Sequence, residues 1–165
     1  MLKQLQERRE NQDGFTLIEL MVVVLIIAIL IAIAVPTFLG ARERAQDRAV
    51  QSNLRNALTA GKVIYADDGD YSGATAAELA DTEPALTFQA AVSADANEVS
   101  FAVAADNQSI VYAALSDSGD CWYLRDAVGN TAGTSGTTFG VRAQGAAGGD
   151  CQGSNTTGVT FGAEW

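Results

Sequence analysis

From Phe15 onward the chain is almost uninterruptedly apolar, and between Leu20 and Ala41 no charged side chain occurs in 22 residues. As a helix this run is roughly 33 Å long at ~1.5 Å per residue, enough to cross a hydrocarbon core of ~30 Å. Past Gly40 the pattern changes. Ala45, Ala49, Val50, Leu54, Ala57, Leu58, Gly61, Ile64 and Tyr65 recur at three- and four-residue intervals, while Arg42, Arg44, Asp47, Arg48, Arg55 and Lys62 lie largely elsewhere. The spacing predicts one helix from Phe15 to Tyr65, roughly 75 Å long, apolar on all sides in its first half and amphipathic in its second. The second half is expected to pack on the C-terminal head, and the first to be left bare. Pro36 lacks an N–H and its ring crowds the preceding turn, so a kink or local opening is expected near Ala32 to Pro36.

Ala66-Asp67-Asp68-Gly69-Asp70-Tyr71-Ser72-Gly73 ends the helix with turn formers. Thr75-Ala76-Ala77-Glu78 has the spacing of a capping box and predicts a short helix to about Ala80. Strand patterns follow at Val99 to Val103, Ser109 to Leu115 and Cys121 to Arg125, separated by the turns Asp106-Asn107-Gln108 and Ser116 to Asp120. Such short connections imply an antiparallel meander. Leu86-Thr87-Phe88 is a weaker strand at its start, and Thr138 to Val141 and Val159 to Phe161 are candidate late strands. Residues 129–136 and 145–158 are rich in Gly, Ser and Thr and predict loops. The fold class is therefore α+β, a long N-terminal helix packed on a small antiparallel β-sheet head. The organisation is a charged segment at 1–14, an apolar helix at 15–41, an amphipathic half at 42–65 and a globular head at 66–165.

Composition sharpens this picture. In the 100 residues from Ala66 onward only 16 are Leu, Ile, Val or Phe, below what a self-sufficient globule needs. Eight of the ten basic residues precede residue 63, whereas the remainder of the chain sets two arginines against fourteen acids, a net −12. A head this acidic repels phosphate backbones and argues against nucleic acid as a partner. The chain has no histidine, the commonest general base and metal ligand. It has no phosphate-cradling or nucleophile-elbow motif either, so an enzyme is not expected, nor a cofactor. The three carboxylates Asp67, Asp68 and Asp70 lack the order and distal Glu of a calcium loop, and a solvated turn is the simpler reading.

The leader does not suit a secretory signal: Lys3, Arg8 and Arg9 are balanced by Glu7, Glu10 and Asp13, and the apolar core is too long. A plain membrane anchor leaves Glu19 unexplained, because an ionisable residue inside a membrane segment needs a partner. A cut after Gly14 would create one, the α-ammonium of Phe15. Gly14-Phe15-Thr16-Leu17-Ile18-Glu19-Leu20, followed by the apolar run with Pro36 and then a polar helix, resembles the N-terminus of type IV pilins and their pseudopilin relatives. The resemblance is specific from Asp13 to about Tyr65 and architectural beyond it.

What the resemblance implies is a prepilin, cut between Gly14 and Phe15 by a prepilin peptidase and N-methylated on Phe15. Glu19 would pair with the Phe15 amine of an adjacent subunit, and the region of Pro36 would let the packed helix stretch in the assembled fibre. The partners implied are identical subunits in a filament, minor pilins, an assembly platform with its ATPase, and membrane lipid before assembly. The precursor would sit in the cytoplasmic membrane with its head outside, and the assembled filament would be extracellular. Pilins of this kind carry a C-terminal disulfide, which would here join Cys121 to Cys151; two free buried cysteines are the alternative. Two other functions stay open: a pseudopilin of a type II secretion or DNA-uptake system, and a minor, tip-located adhesive pilin.

Overall fold

The computed structural model describes residues 14–129, 135–143 and 149–165. The leader residues 1–13 and parts of both Gly-rich stretches, 130–134 and 144–148, lie outside the described residues. The chain divides into two units, Met1–Ala41 and Arg42–Trp165. Helix α1, Leu17–Asp68, runs through the boundary.

In the first unit α1 is helical without interruption, so the local opening expected at Pro36 does not occur. Pro36 cannot donate to the carbonyl one turn back, but the helix on either side continues the ladder, and the Thr37 hydroxyl adds a 2.9 Å bond to the Ile33 carbonyl. Every large apolar residue of this stretch is exposed, Leu20 by 62%, Ile33 by 65% and Phe38 by 69%. The helix is long and apolar enough to cross a membrane.

In the second unit α1 buries Val50, Leu54, Ala57, Ala60, Gly61 and Ile64, which share one face through their three- and four-residue spacing. The helix runs to Asp68, three residues beyond the expected end. Thr75 then caps α2, Ala76–Thr82, by accepting the Glu78 N–H at 3.2 Å. The helix start is as the sequence predicts, but the Thr75 N–H donates to the Gly73 carbonyl at 2.8 Å, so the box is formed only on its Thr75 side.

Five strands form one sheet in chain order: β1 Thr87–Gln89, β2 Glu98–Val103, β3 Ser109–Leu115, β4 Cys121–Ala127 and β5 Gly136–Arg142. β2 to β5 are the expected antiparallel meander, with Tyr112 opposite Leu124 and Cys121 opposite Arg142. β1 departs from it and pairs with β2 in parallel. A parallel return normally takes a crossover of a dozen or more residues. Here β1 is so short that the loop 90–97 suffices, braced where Asp95 accepts the Asn97 and Glu98 amides and Glu98 accepts the Ala94 amide. Val159 to Phe161 does not form a strand. Among the described residues its backbone pairs with the sheet at one isolated bridge, Phe139 to Gly162, while Val159 and Phe161 pack on the sheet through their side chains.

The sheet is covered on both faces. Ile110, Tyr112, Ala114 and Leu124 join the buried side of α1 in the main core, while Ala113, Cys121, Tyr123 and Cys151 form a second cluster with Val159 and Phe161. This explains why β3 reads as a continuous apolar run instead of alternating strictly. Helix and sheet approach closely at Gly61, where a Cβ would overlap the buried Tyr112 hydroxyl. The turn between β3 and β4 is pinned to the helix by Asp47, which accepts from Ser116 and Ser118 at 2.8 and 2.6 Å.

Candidate functional site

Gly14, Phe15 and Thr16 precede the helix, with Phe15 90% exposed, and among the described residues no atom beyond its chain neighbour lies within 4 Å of a Cβ placed on Gly14. Glu19, in the first turn of α1, reaches back to Thr16: its Oε2 accepts the Thr16 N–H at 2.9 Å and the Thr16 hydroxyl at 2.8 Å. The Thr16 hydroxyl accepts the Glu19 N–H at 3.2 Å in return. This is a reciprocal capping box, which satisfies otherwise orphaned donors at the helix start. The Thr-x-x-Glu spacing that signals this box is local and plain in the sequence. With the chain uncut, the Phe15 nitrogen is an amide, so the box is the partner Glu19 has in this state. Pro36 lies 17 residues further along α1, well away from this cluster.

The Cys121–Cys151 pair is disulfide-bonded, with Cα atoms 5.5 Å apart and a sequence separation of 30. Arg142, opposite Cys121 in the ladder, is 4% exposed. Its Nη2 donates to the Gly149 and Asp150 carbonyls at 2.8 and 2.6 Å, its Nη1 to those of Asn155 and Thr157 at 3.3 and 3.4 Å. The guanidinium also lies over the Tyr123 ring, 5.3 Å from its centroid. Charge-assisted bonds to several carbonyls offset the desolvation of a buried cation and fasten the irregular C-terminal segment to β5. The same segment crosses the sheet at Gly153, whose N–H donates to Ser100 Oγ at 3.0 Å. A Cβ there would lie 2.8 Å from the Val111 carbonyl and 2.9 Å from the Ala102 nitrogen. Both are strand backbone that cannot yield, so Gly153→Ala should cost about 1–3 kcal/mol as an overpacking change. A lowered thermal midpoint with the disulfide intact is expected, and an unchanged one would contradict the contact.

A second polar group was not visible in the sequence. Asp126 on β4, 2% exposed, accepts from the Tyr71 hydroxyl at 2.5 Å and from the Thr137 hydroxyl at 2.7 Å, with Lys62 Nζ 3.4 Å away. Burial first, and then the adjoining Asp126, push the Tyr71 and Tyr112 hydroxyls well above their ordinary 10.0. Burial likewise raises Tyr123, partly opposed by Arg142. A folded-state value above the unfolded one means that the stabilisation is whole below about pH 10 and is lost as pH rises further. The thermal midpoint should therefore be level from about pH 8 to 9.5 and fall beyond about pH 10; a level or rising midpoint to about pH 11.5 would contradict the burial of these phenols.

Asp67 and Asp68 are the last two residues of α1, not part of the expected turn; Asp70 lies in the turn that follows, where its Oδ1 accepts the Ser72 N–H at 2.7 Å. Among the described residues no group of three or more Asp, Glu, His or Cys is placed to hold a metal ion.

A long helix, apolar and exposed in its first half and packed in its second on a small, mostly antiparallel, disulfide-bonded sheet, defines an α+β, pilin-like class of protein. Residues 9–35 match the family described as the prokaryotic N-terminal methylation motif. The type IV wide pilus major component PilA4 of Thermus thermophilus is 36% identical over 112 residues, covering 66% of this chain and 86% of that protein. The type IV major pilin protein PilA of Myxococcus xanthus is 46% identical over 59 residues, 36% of this chain and 27% of that one. The type II secretion system core protein G of Klebsiella michiganensis is 43% identical over 47 residues, 28% of this chain and 33% of that one. No solved structure matches significantly. The chain belongs to the type IV pilin family.

Proposed function

We propose that the chain is the structural subunit of a type IV pilus, inserted in the membrane as a prepilin and polymerised through α1. The observation that carries this reading is the first half of α1: an apolar surface, exposed from Leu17 to Leu39, that is stable only under lipid or under copies of itself. Lipid covers it in the precursor, with the head on the outer side of the cytoplasmic membrane, and neighbouring helices cover it in the extracellular filament. A prepilin peptidase cuts between Gly14 and Phe15, and Phe15 is then N-methylated. The new amine draws Glu19 of a neighbouring subunit out of its capping box with Thr16. An ion pair in a dry core is favourable only in register, so the exchange selects correctly stacked subunits. Pro36 supplies the weak point at which α1 adjusts its length when packed.

The similarity to the Thermus pilin runs well into the head, over 112 residues, whereas that to the Klebsiella secretion protein spans 47. This favours a pilus over a secretion fibre. A tip-located adhesive subunit differs from a building block in number. Electron microscopy of shear fractions together with quantitation of this chain should show it as the dominant protein of the filaments. Filaments in which it is rare would replace the proposal with a tip or priming role.

A further inference from the structure

Arg44, Arg48, Arg55 and Lys62, separated by four, seven and seven residues, fall within about 40° of one another around α1. They make one basic stripe along its packed half. The stripe's far end is engaged within its own head, Arg55 over the Trp165 ring at 4.8 Å and Lys62 beside Asp126 at 3.4 Å. Arg44 and Arg48 are exposed, and no ion pair joins them to an acid among the described residues.

The complementary feature lies at the end of the same helix. Asp67, Asp68 and Glu78 line a groove of about 420 Å³ with Ile64, Gly73 and Thr75. All three carboxylates are exposed and none has an ion pair among the described residues. The last turn of α1 contains no basic residue, so the carboxylates of Asp67 and Asp68 add to the negative end of the helix dipole with no cation against them. Such an end calls for a positive charge from elsewhere.

The stripe and the groove cannot meet within one chain, because Arg48 and Asp68 are 20 residues apart on one continuous helix, ~30 Å along its axis. Two different patches that fit one another make a heterologous contact, which closes into a ring or, where copies are displaced along an axis, propagates as an open array. We propose that Arg44 and Arg48 of one subunit dock at the Asp67, Asp68 and Glu78 groove of another copy displaced along the α1 axis. This contact rests on the filament reading above.

The test is charge exchange in the full-length chain in its own cells. Arg44→Glu with Arg48→Glu, and separately Asp67→Lys with Asp68→Lys, should each lower sheared filament about tenfold or more by opposing like charges. Membrane levels of the chain should stay unchanged. The four changes together should restore most of the filament. A combined variant no better than the worse pair overturns the contact. So does loss of filament on chelation with the arginine reversal silent, which would make a metal ion the occupant of the groove. Loss of binding to anionic phospholipid vesicles by the arginine reversal, with no rescue, would assign the stripe to lipid and equally overturn it. If the unaltered chain makes no filaments, the filament reading itself fails and this contact with it.

Discussion

Replacing Glu19 by alanine should leave the chain in the membrane at its normal level and remove nearly all filaments from the shear fraction. In the uncut chain Glu19 bonds Thr16, at 2.9 Å to its N–H and 2.8 Å to its hydroxyl. Losing that box costs a helix end about 1 kcal/mol, too little to expel a helix with this much apolar surface from lipid. Assembly is different, because the cut leaves a charged amine on Phe15 that must enter the dry core. Stranding a buried charge costs about 3–5 kcal/mol, and every 1.4 kcal/mol is about tenfold in an equilibrium, so filament yield should fall by about a hundredfold or more. Thr16→Ala separates the two roles. It destroys the capping box but keeps the carboxylate, and most of the filament should survive. Equal loss from Thr16→Ala and Glu19→Ala would make Glu19 a helix cap and nothing more.

Removing the disulfide is expected to have the largest effect on the head itself. Cys121 and Cys151 close a loop of 30 residues, for which the chain-entropy model gives about 3–4 kcal/mol. Among the described residues the main core contains 15 buried apolar residues, several of them alanine, so this is a large share of a typical stability of about 5–15 kcal/mol. The bond also fixes the start of β4 to the segment that Arg142 fastens by four carbonyls. Cys121→Ser with Cys151→Ser should lower the thermal midpoint by about 10 °C or more, at about 4–8 °C per kcal/mol for a small domain. The C-terminal segment should become the first site of proteolysis. An unchanged midpoint, or two thiols alkylated in the unreduced native protein, would contradict this role.

How much of this was legible in the sequence depends on the range of the forces involved. The two halves of α1 were plain from the switch between uniform and periodic hydrophobicity at Gly40, and β2, β3 and β4 from short apolar runs between turn formers. The Gly14 to Leu20 motif pointed to the family without the fold. β1 was placed but not its direction, since three residues carry no information on pairing and the return loop is held by Asp95 and Glu98. The region from Val159 to Phe161 had strand-like residues but packs as an irregular cover over Tyr123, held by tertiary contacts from Arg142 and the disulfide. The buried Asp126 group joins residues 62, 71 and 137, distant in sequence, and has no local signature. Thr16 and Glu19 were within reach, because their capping spacing is local.

The proposed life cycle of the chain, anchored precursor and then filament core, meets its most direct test in the amino terminus of the chain recovered from sheared filaments. Intact-mass and N-terminal sequencing should find a protein that lacks residues 1–14, begins with N-methylated Phe15 and keeps Cys121 and Cys151 joined. A chain that retains its leader in the filament fraction, or a mature chain confined to membranes in cells that carry filaments of another protein, would contradict it.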